Sequence, residues 1–347
     1  MLRSRTSRLA ASALGLAALT GALVAQPAAG AGSATGSVFF INPVQSTGIQ
    51  TLTDDGDSAA AVPARAYRTV ILPALDGSGY LVGQWANILS ETGPRAYSAA
   101  GDFTYDRSDD RFEQVMAYYW ATQAQLYLQR IGFTGEPGGL PAVNKESQDL
   151  RINQWGQDNS YSWDKHDVIR LGKGGVDDAE DGEVIVHEYG HAVHDSQVVG
   201  FGSSLDAGAI GEAFGDYLAV TVGLAVAGPP AAGAPAACVM DWDATSYTST
   251  VPHCLRRIDR DLTVADRRGQ VHFDGQIWSR ALWDIRNGIK DSVIADRIII
   301  NAQFGFAPGT TFEAAALETV QTAAEMYPKS RYADIARTAF RERGILR

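Results

Sequence analysis

Cysteine, basic charge and long apolar runs are all scarce in this 347-residue sequence. Two cysteines, Cys238 and Cys254, are too few for a disulfide-rich scaffold, and their spacing matches no C-x-x-C metal site. Lysine and arginine number 29 against 40 acidic residues, a net charge of −11. So acidic a surface repels nucleic-acid phosphate and anionic membranes, so no nucleic-acid partner is expected. After the first 31 residues no stretch is expected to cross a bilayer. Internal repeats are absent as well.

The amino terminus supplies an apolar run. Arg3, Arg5 and Arg8 precede a run from Leu9 to Val24, which leads into the small residues Ala29-Gly30-Ala31. This is the layout of a secretory signal peptide, read here as residues 1–31 with Ala25 as a competing cleavage site. Its removal takes the net charge to −14 and leaves a chain expected to be secreted, free of the membrane and monomeric. In an oxidising compartment Cys238 and Cys254 are expected to pair, closing a short loop and stabilising by roughly 3 kcal/mol.

Residues 37–100 read as strands and turns, with "YRTVILPAL" an example, and "YSWDKHDVIRLG" returns to strand composition further on. Helical spacing predicts a helix over 112–131, capped by Asp109 or Asp110. From Val184 onward the pattern turns helical, over 183–197, 207–227, 274–288, 291–301, 311–326 and 331–342, with Thr310 and Glu313 as a capping box. The expected class is α+β: residues 32–198 form an αβ lobe with a sheet, and 199–347 a mostly helical lobe. The stretch "AGPPAAGAPAA" at 227–237 reads as a surface loop ending at the disulfide.

Residues 187–195 read "HEYGHAVHD". His187 and His191 are four apart, so on a helix both imidazoles share one face and can meet one metal ion. Glu188 stands beside the first in the H-E-x-x-H pattern. His194 lies a further turn along, about 4.5 Å of rise beyond His191, so it is read as a surface imidazole or one supporting a ligand. Downstream, "DAGAIGEAFGDYLAVTVGLAVAG" is apolar almost all round and must be buried as a helix, yet it carries Glu212 and Asp216 on one face. Buried carboxylates need partners. Glu212 as third ligand and Asp216 as the carboxylate orienting a ligand histidine supply that need.

These two segments, with the acidic approach "DDAEDGE" before the first, resemble the thermolysin-like zinc metallopeptidases (gluzincins), and among them the fungalysin type most. The resemblance implies the two-lobed thermolysin-like fold with the H-E-x-x-H helix in the first lobe and the third ligand in the second. It implies one Zn2+ per chain on His187, His191 and Glu212. It further implies His272, in "GQVHFDGQIWSRALWDI", as the histidine stabilising the tetrahedral intermediate, just before a helix capped by Asp274. "CLRRID" is similar to the stretch whose arginine clamps a substrate carbonyl, pointing to Arg256 with Arg257 as the other register. "DNSYSW" is similar to the edge strand that pairs with the substrate backbone, pointing to Asn159 and Ser160. The family's oxyanion tyrosine has no counterpart at its offset before Glu212, where Ser203 stands. The acids Asp177, Asp178, Glu180, Asp181 and Glu183 offer a calcium site, but the favoured reading is that they complement the helix N-terminus.

The expected function is a secreted zinc metalloendopeptidase that hydrolyses peptide bonds in peptide or protein substrates through a zinc-activated water, with Glu188 as general base. The alternatives are an exported zinc-containing module that binds peptides without cutting them, and a zinc aminopeptidase.

Overall fold

A computed structural model describes residues 33–89, 93–153 and 156–347; the expected signal peptide lies outside them. Residues 33–347 cluster as one compact unit. Strands β1 (Thr35–Phe39), β2 (Tyr67–Ile71) and β4 (Asp102–Phe103) form one small sheet in the order β2-β1-β4. Strands β3 (Ala86–Ile88), β5 (Gln148–Ile152), β6 (Tyr161–Trp163) and β7 (Val168–Leu171) form a second, ordered β3-β5-β7-β6. Its first three strands run parallel, and β6 joins β7 antiparallel, at the edge. An edge strand has one row of backbone N–H and C=O groups free to pair with another chain.

After the short helix α1 (Pro43–Thr47), the long helix α2 (Arg111–Arg130) runs through the core, with Phe112, Tyr118, Tyr119 and Trp120 almost wholly buried. Each such side chain contributes about 2 kcal/mol by leaving water. The cap expected at its start is built differently. Asp110 occupies the cap position but turns its carboxylate to Lys173 Nζ at 2.8 Å, while Asp109 Oδ1 accepts from the Arg111 N–H.

Helices α3 (Gly182–Gln197) and α4 (Leu205–Val226) cover the predicted segments. They are followed by α5 (Val271–Ile289), α6 (Ser292–Ala302), α7 (Phe312–Met326) and α8 (Tyr332–Glu342). Helix α4 belongs to two cores at once. Phe214, Leu218 and Val222 pack into the core built on α2, α3 and the sheets. Ala209, Ile210, Ala213 and Tyr217 pack with α5 to α8. Apolar side chains on every face are what let one helix join both cores.

Two start signals shift. Helix α7 is capped by Thr311, whose hydroxyl accepts from the Ala314 N–H, rather than by Thr310. Helix α5 is capped by Gln270, because the Asp274 carboxylate is turned back to accept from the Arg268 and Gly269 N–H groups at 2.8 and 3.0 Å. The 227–237 segment is not wholly a surface excursion: Ala234 and Ala237 are buried, and the Ala231 N–H bonds the Gln45 carbonyl. The short strands β8 (Cys238–Val239) and β9 (Arg256–Arg257) pair antiparallel next to the Cys238–Cys254 disulfide.

Candidate metal centre and cleft

Helices α3 and α4 approach closely because glycines line their contact, and this places the imidazoles. His187 lies over Gly215 and His191 over Gly211, so two histidines one turn apart on α3 rest on two glycines one turn apart on α4. Glu212 stands between those glycines. The His187 Nε2 is 3.3 Å from Glu212 Oε2, and the His191 Nε2 is 3.7 Å from Glu212 Oε1. The imidazole planes are nearly perpendicular, at 84°, with centroids 4.9 Å apart. One donor atom from each of His187, His191 and Glu212 lies within 4.8 Å of the others.

Glu212 Oε2 has no hydrogen-bond donor among the described residues despite the imidazole nitrogens around it. The nitrogens and the carboxylate point at a common place rather than at one another. Two imidazoles and one carboxylate are the donor set of a catalytic zinc site, with room left for a further ligand on the open side. By the chemistry of its donors and the orphaned oxygen, the site fits a metal ion.

The surroundings tune each ligand. His187 Nδ1 donates to Asp216 Oδ1 at 2.9 Å, which leaves Nε2 as the lone-pair atom facing Glu212. Asp216 is itself held by Arg256, whose Nε and Nη2 each bond a carboxylate oxygen at 2.7 Å. Burial favours the neutral acid, but Arg256 and His187 outweigh it and keep Asp216 below the usual carboxylate range. Burial likewise opposes charge on His187, yet Asp216 and Glu212 raise its imidazole to about 10. The pair of carboxylates therefore calls for positive charge at this point. Burial lowers His191 to about 4, so it stays a neutral imidazole, as a ligand must be.

Glu188 is buried on the next position of α3, and its Oε2 has no hydrogen-bond donor among the described residues. Burial pushes its carboxyl up to about 7, with His187 pulling the other way. His272 sits in the first turn of α5, half exposed, rather than before the helix. Its Nε2 is 3.3 Å from Glu212 Oε2. Gln270 Oε1 accepts from the Phe273 N–H, which orients the amide so that its Nε2 donates to His272 Nδ1 at 2.7 Å. The proton of a neutral His272 is thereby assigned to Nε2, the atom facing the metal centre.

A cavity of about 400 Å³ opens over these groups. Asn159 and Ser160, just ahead of the edge strand β6, line it, as do Arg256 and His272. Arg257 instead pairs with Asp259 at 2.7 Å. Tyr247, Leu255 and Val184 line the cavity too, and Gln270 orients His272; no local pattern in the sequence singled these out. Ser203 lies in the turn between α3 and α4, with its N–H on the Pro308 carbonyl.

Two expectations are corrected. His194 is neither at the surface nor against a ligand: it is buried between the rings of Phe201 and Phe214, with centroids 4.3 and 4.6 Å away. Both its ring nitrogens lack partners among the described residues, and burial holds it neutral. The acidic approach serves the helix N-terminus only in part. Asp181 caps α3 by accepting from the Glu183 N–H. Glu180 is instead locked to Arg107 Nη2 at 2.8 Å and accepts from the Trp242 indole at 3.1 Å. Asp178 accepts from the Ser160 hydroxyl.

No model of a known protein family matches the chain, and no curated protein matches it. The fold is similar to that of a solved structure, the precursor of protealysin, a metalloproteinase from Serratia proteamaculans, with a TM-score of 0.50 and 16% sequence identity. The match covers 93% of this chain and 91% of that one. At that identity the likeness speaks to the fold alone, and the α+β class expected from the sequence is the one adopted.

Proposed function

We propose that the chain is a secreted zinc metalloendopeptidase of the thermolysin-like group, with the H-E-Y-x-H spelling and acidic approach favouring the fungalysin type. One observation carries the reading: His187, His191 and Glu212 converge beside Glu188, whose Oε2 has no donor among the described residues, on an open cleft. The likeness to a metalloproteinase precursor supports it. Zinc held by these three residues would supply Lewis acidity to a peptide carbonyl and acidify water there.

The chain's own groups do the rest. Glu188, poised near neutrality, accepts the proton of the attacking water and returns it to the leaving amine. His272 donates from Nε2 to the carbonyl oxygen as it gains charge. Asp216 fixes the tautomer and orientation of His187, and Arg256 holds Asp216 in place. Strand β6, at the edge of its sheet with Asn159 and Ser160 before it, accepts the substrate backbone by strand addition. Arg256 also faces the cleft, where it can meet a substrate carbonyl.

The test is digestion of a mixed proteome and of peptides with blocked amino termini, with and without a chelator, read by mass spectrometry. Internal cleavages that a chelator abolishes and zinc restores are expected. Cleavage confined to free amino termini would make the chain an aminopeptidase, and stoichiometric zinc without turnover a binding module.

A further inference from the structure

A second cavity, of about 430 Å³, adjoins the cleft and shares Tyr247, Leu255 and Arg256 with it. Its charge is opposite to the cleft's. Asp164, Asp178, Glu188, Glu212 and Asp243 line the cleft, whereas the second cavity is lined by Arg256, Arg257 and Arg260 and by no carboxylate among the described residues. In a chain with a net charge of −11, this is a local reversal of the surface field.

Two of the three guanidiniums are already engaged. Arg256 holds Asp216 through two bonds of 2.7 Å, and Arg257 holds Asp259 at 2.8 and 2.7 Å. Arg260 differs: its guanidinium lies 5.3 Å from the centre of the Phe273 ring, and no carboxylate among the described residues pairs with it. Arg268, likewise without a carboxylate among them, stands 3.8 Å from the same ring. Two cations against one ring raise the positive potential there, and the ring face steadies the Arg260 guanidinium. Gln276, which also lines the cavity, gives its Oε1 to the Arg257 N–H at 3.3 Å and keeps the donor hydrogens of its Nε2. The cavity therefore offers a ligand positive charge and hydrogen-bond donors.

We propose that this cavity is a carboxylate-binding subsite of the cleft, in which Arg260 pairs with an acidic side chain or the terminal carboxylate of a bound peptide. The proposal rests on the reading of the cleft as a peptide site. A guanidinium meets a carboxylate with two parallel N–H···O bonds, and Arg260 is the arginine of the three whose donors are not spent on an acid of its own chain. The acids lining the cleft disfavour negative charge on the peptide elsewhere, so Arg260 sets a preference at one position rather than a general attraction to acidic chains. Because Arg260 is exposed, water and salt screen the pairing, and its effect is modest.

The test is fluorescence anisotropy with the zinc-supplemented full chain carrying Glu188→Gln, so that binding is read without hydrolysis. The probes are short neutral peptides with a single glutamate walked along the sequence, each beside its glutamine twin and each with a free or an amidated carboxyl terminus. At one position, or at the free terminus, the acid should bind about three- to tenfold more tightly than its neutral twin, which also tells side chain from terminus as the source. The advantage should shrink as salt is raised. Arg260→Gln should abolish it and Arg260→Glu should reverse it; both change an exposed side chain, and thermal melts check that both fold. Equal binding of acid and neutral twins throughout, no binding of any peptide, or a preference that Arg260→Glu leaves untouched overturns the proposal. Hydrolysis by the wild type is scored separately: a carboxylate preference without hydrolysis would count against the function proposed above and leave the subsite standing.

Discussion

Gly190 of α3 and Gly215 of α4 face each other where the helices meet: a methyl group on Gly190 would stand 2.9 Å from the Gly215 Cα. One on Gly215 would stand 2.5 Å from His187 Nδ1. The proposed metal centre depends on this contact, because backbones this close let the α3 imidazoles reach a carboxylate on α4.

The two glycines should therefore fail differently when replaced. Gly190→Ala forces the helices apart and should lower stability by about 1–3 kcal/mol, the usual result of overpacking. Gly215→Ala displaces His187 and should also lower zinc affinity. Thermal denaturation with and without zinc separates the two; a Gly215→Ala protein that binds zinc like the wild type would contradict the placement of His187.

Glu188→Gln removes the base while leaving every proposed ligand in place. Zinc content should be unchanged and peptide hydrolysis should fall by about 10²–10⁴-fold. Activity at the wild-type rate in a zinc-replete sample would refute the role of Glu188.

Asp216→Asn keeps the size of the side chain but removes the charge that orients His187 and pairs with Arg256. Zinc affinity should drop by about 10–100-fold. A competition titration against a zinc-binding dye measures it, and an unchanged affinity would mean that Asp216 only packs the helix.

Arg107 is wholly buried with Glu180, and its guanidinium lies 5.3 Å from the Trp242 ring. Arg107→Met leaves the Glu180 carboxyl in the core without its counter-charge. Destabilisation of about 3–5 kcal/mol is expected at neutral pH. Urea denaturation at pH 5 and pH 8 gives a sharper test, since burial already raises Glu180 to about 7. Removing the arginine leaves that carboxyl with a folded-state value above its unfolded one, so the variant should lose stability as pH rises through this range.

The Cys238–Cys254 disulfide closes a loop with a sequence separation of 16 and ends two residues before Arg256. Replacing both cysteines by serine should cost roughly 3 kcal/mol in the chain-entropy model. Chemical denaturation of the double variant measures this loss, and a midpoint equal to that of the wild type would show that β8 and β9 hold the loop unaided.

Local rules reached far in this chain, and their limits have a physical origin. Four-residue spacing put His187 and His191 on one face, and carboxylates in an otherwise apolar helix marked Glu212 and Asp216, because a helix repeats its environment every turn. The same periodicity located helices α2 to α8 to within a few residues. Capping failed at α5 and α7, where Gln270 and Thr311 take the cap while the Asp274 carboxylate and the Thr310 hydroxyl are bonded elsewhere. His194 carried no mark of the aromatic slot that buries it, since Phe201 and Phe214 come from beyond its own helix. What the sequence by itself determined was the set of helices and the side chains each presents. Which of those side chains meet was decided by tertiary structure alone: Gly190 against Gly215, Gln270 behind His272, and Arg260 over Phe273. Such meetings depend on how closely separate segments approach in space, a distance that no local periodicity encodes.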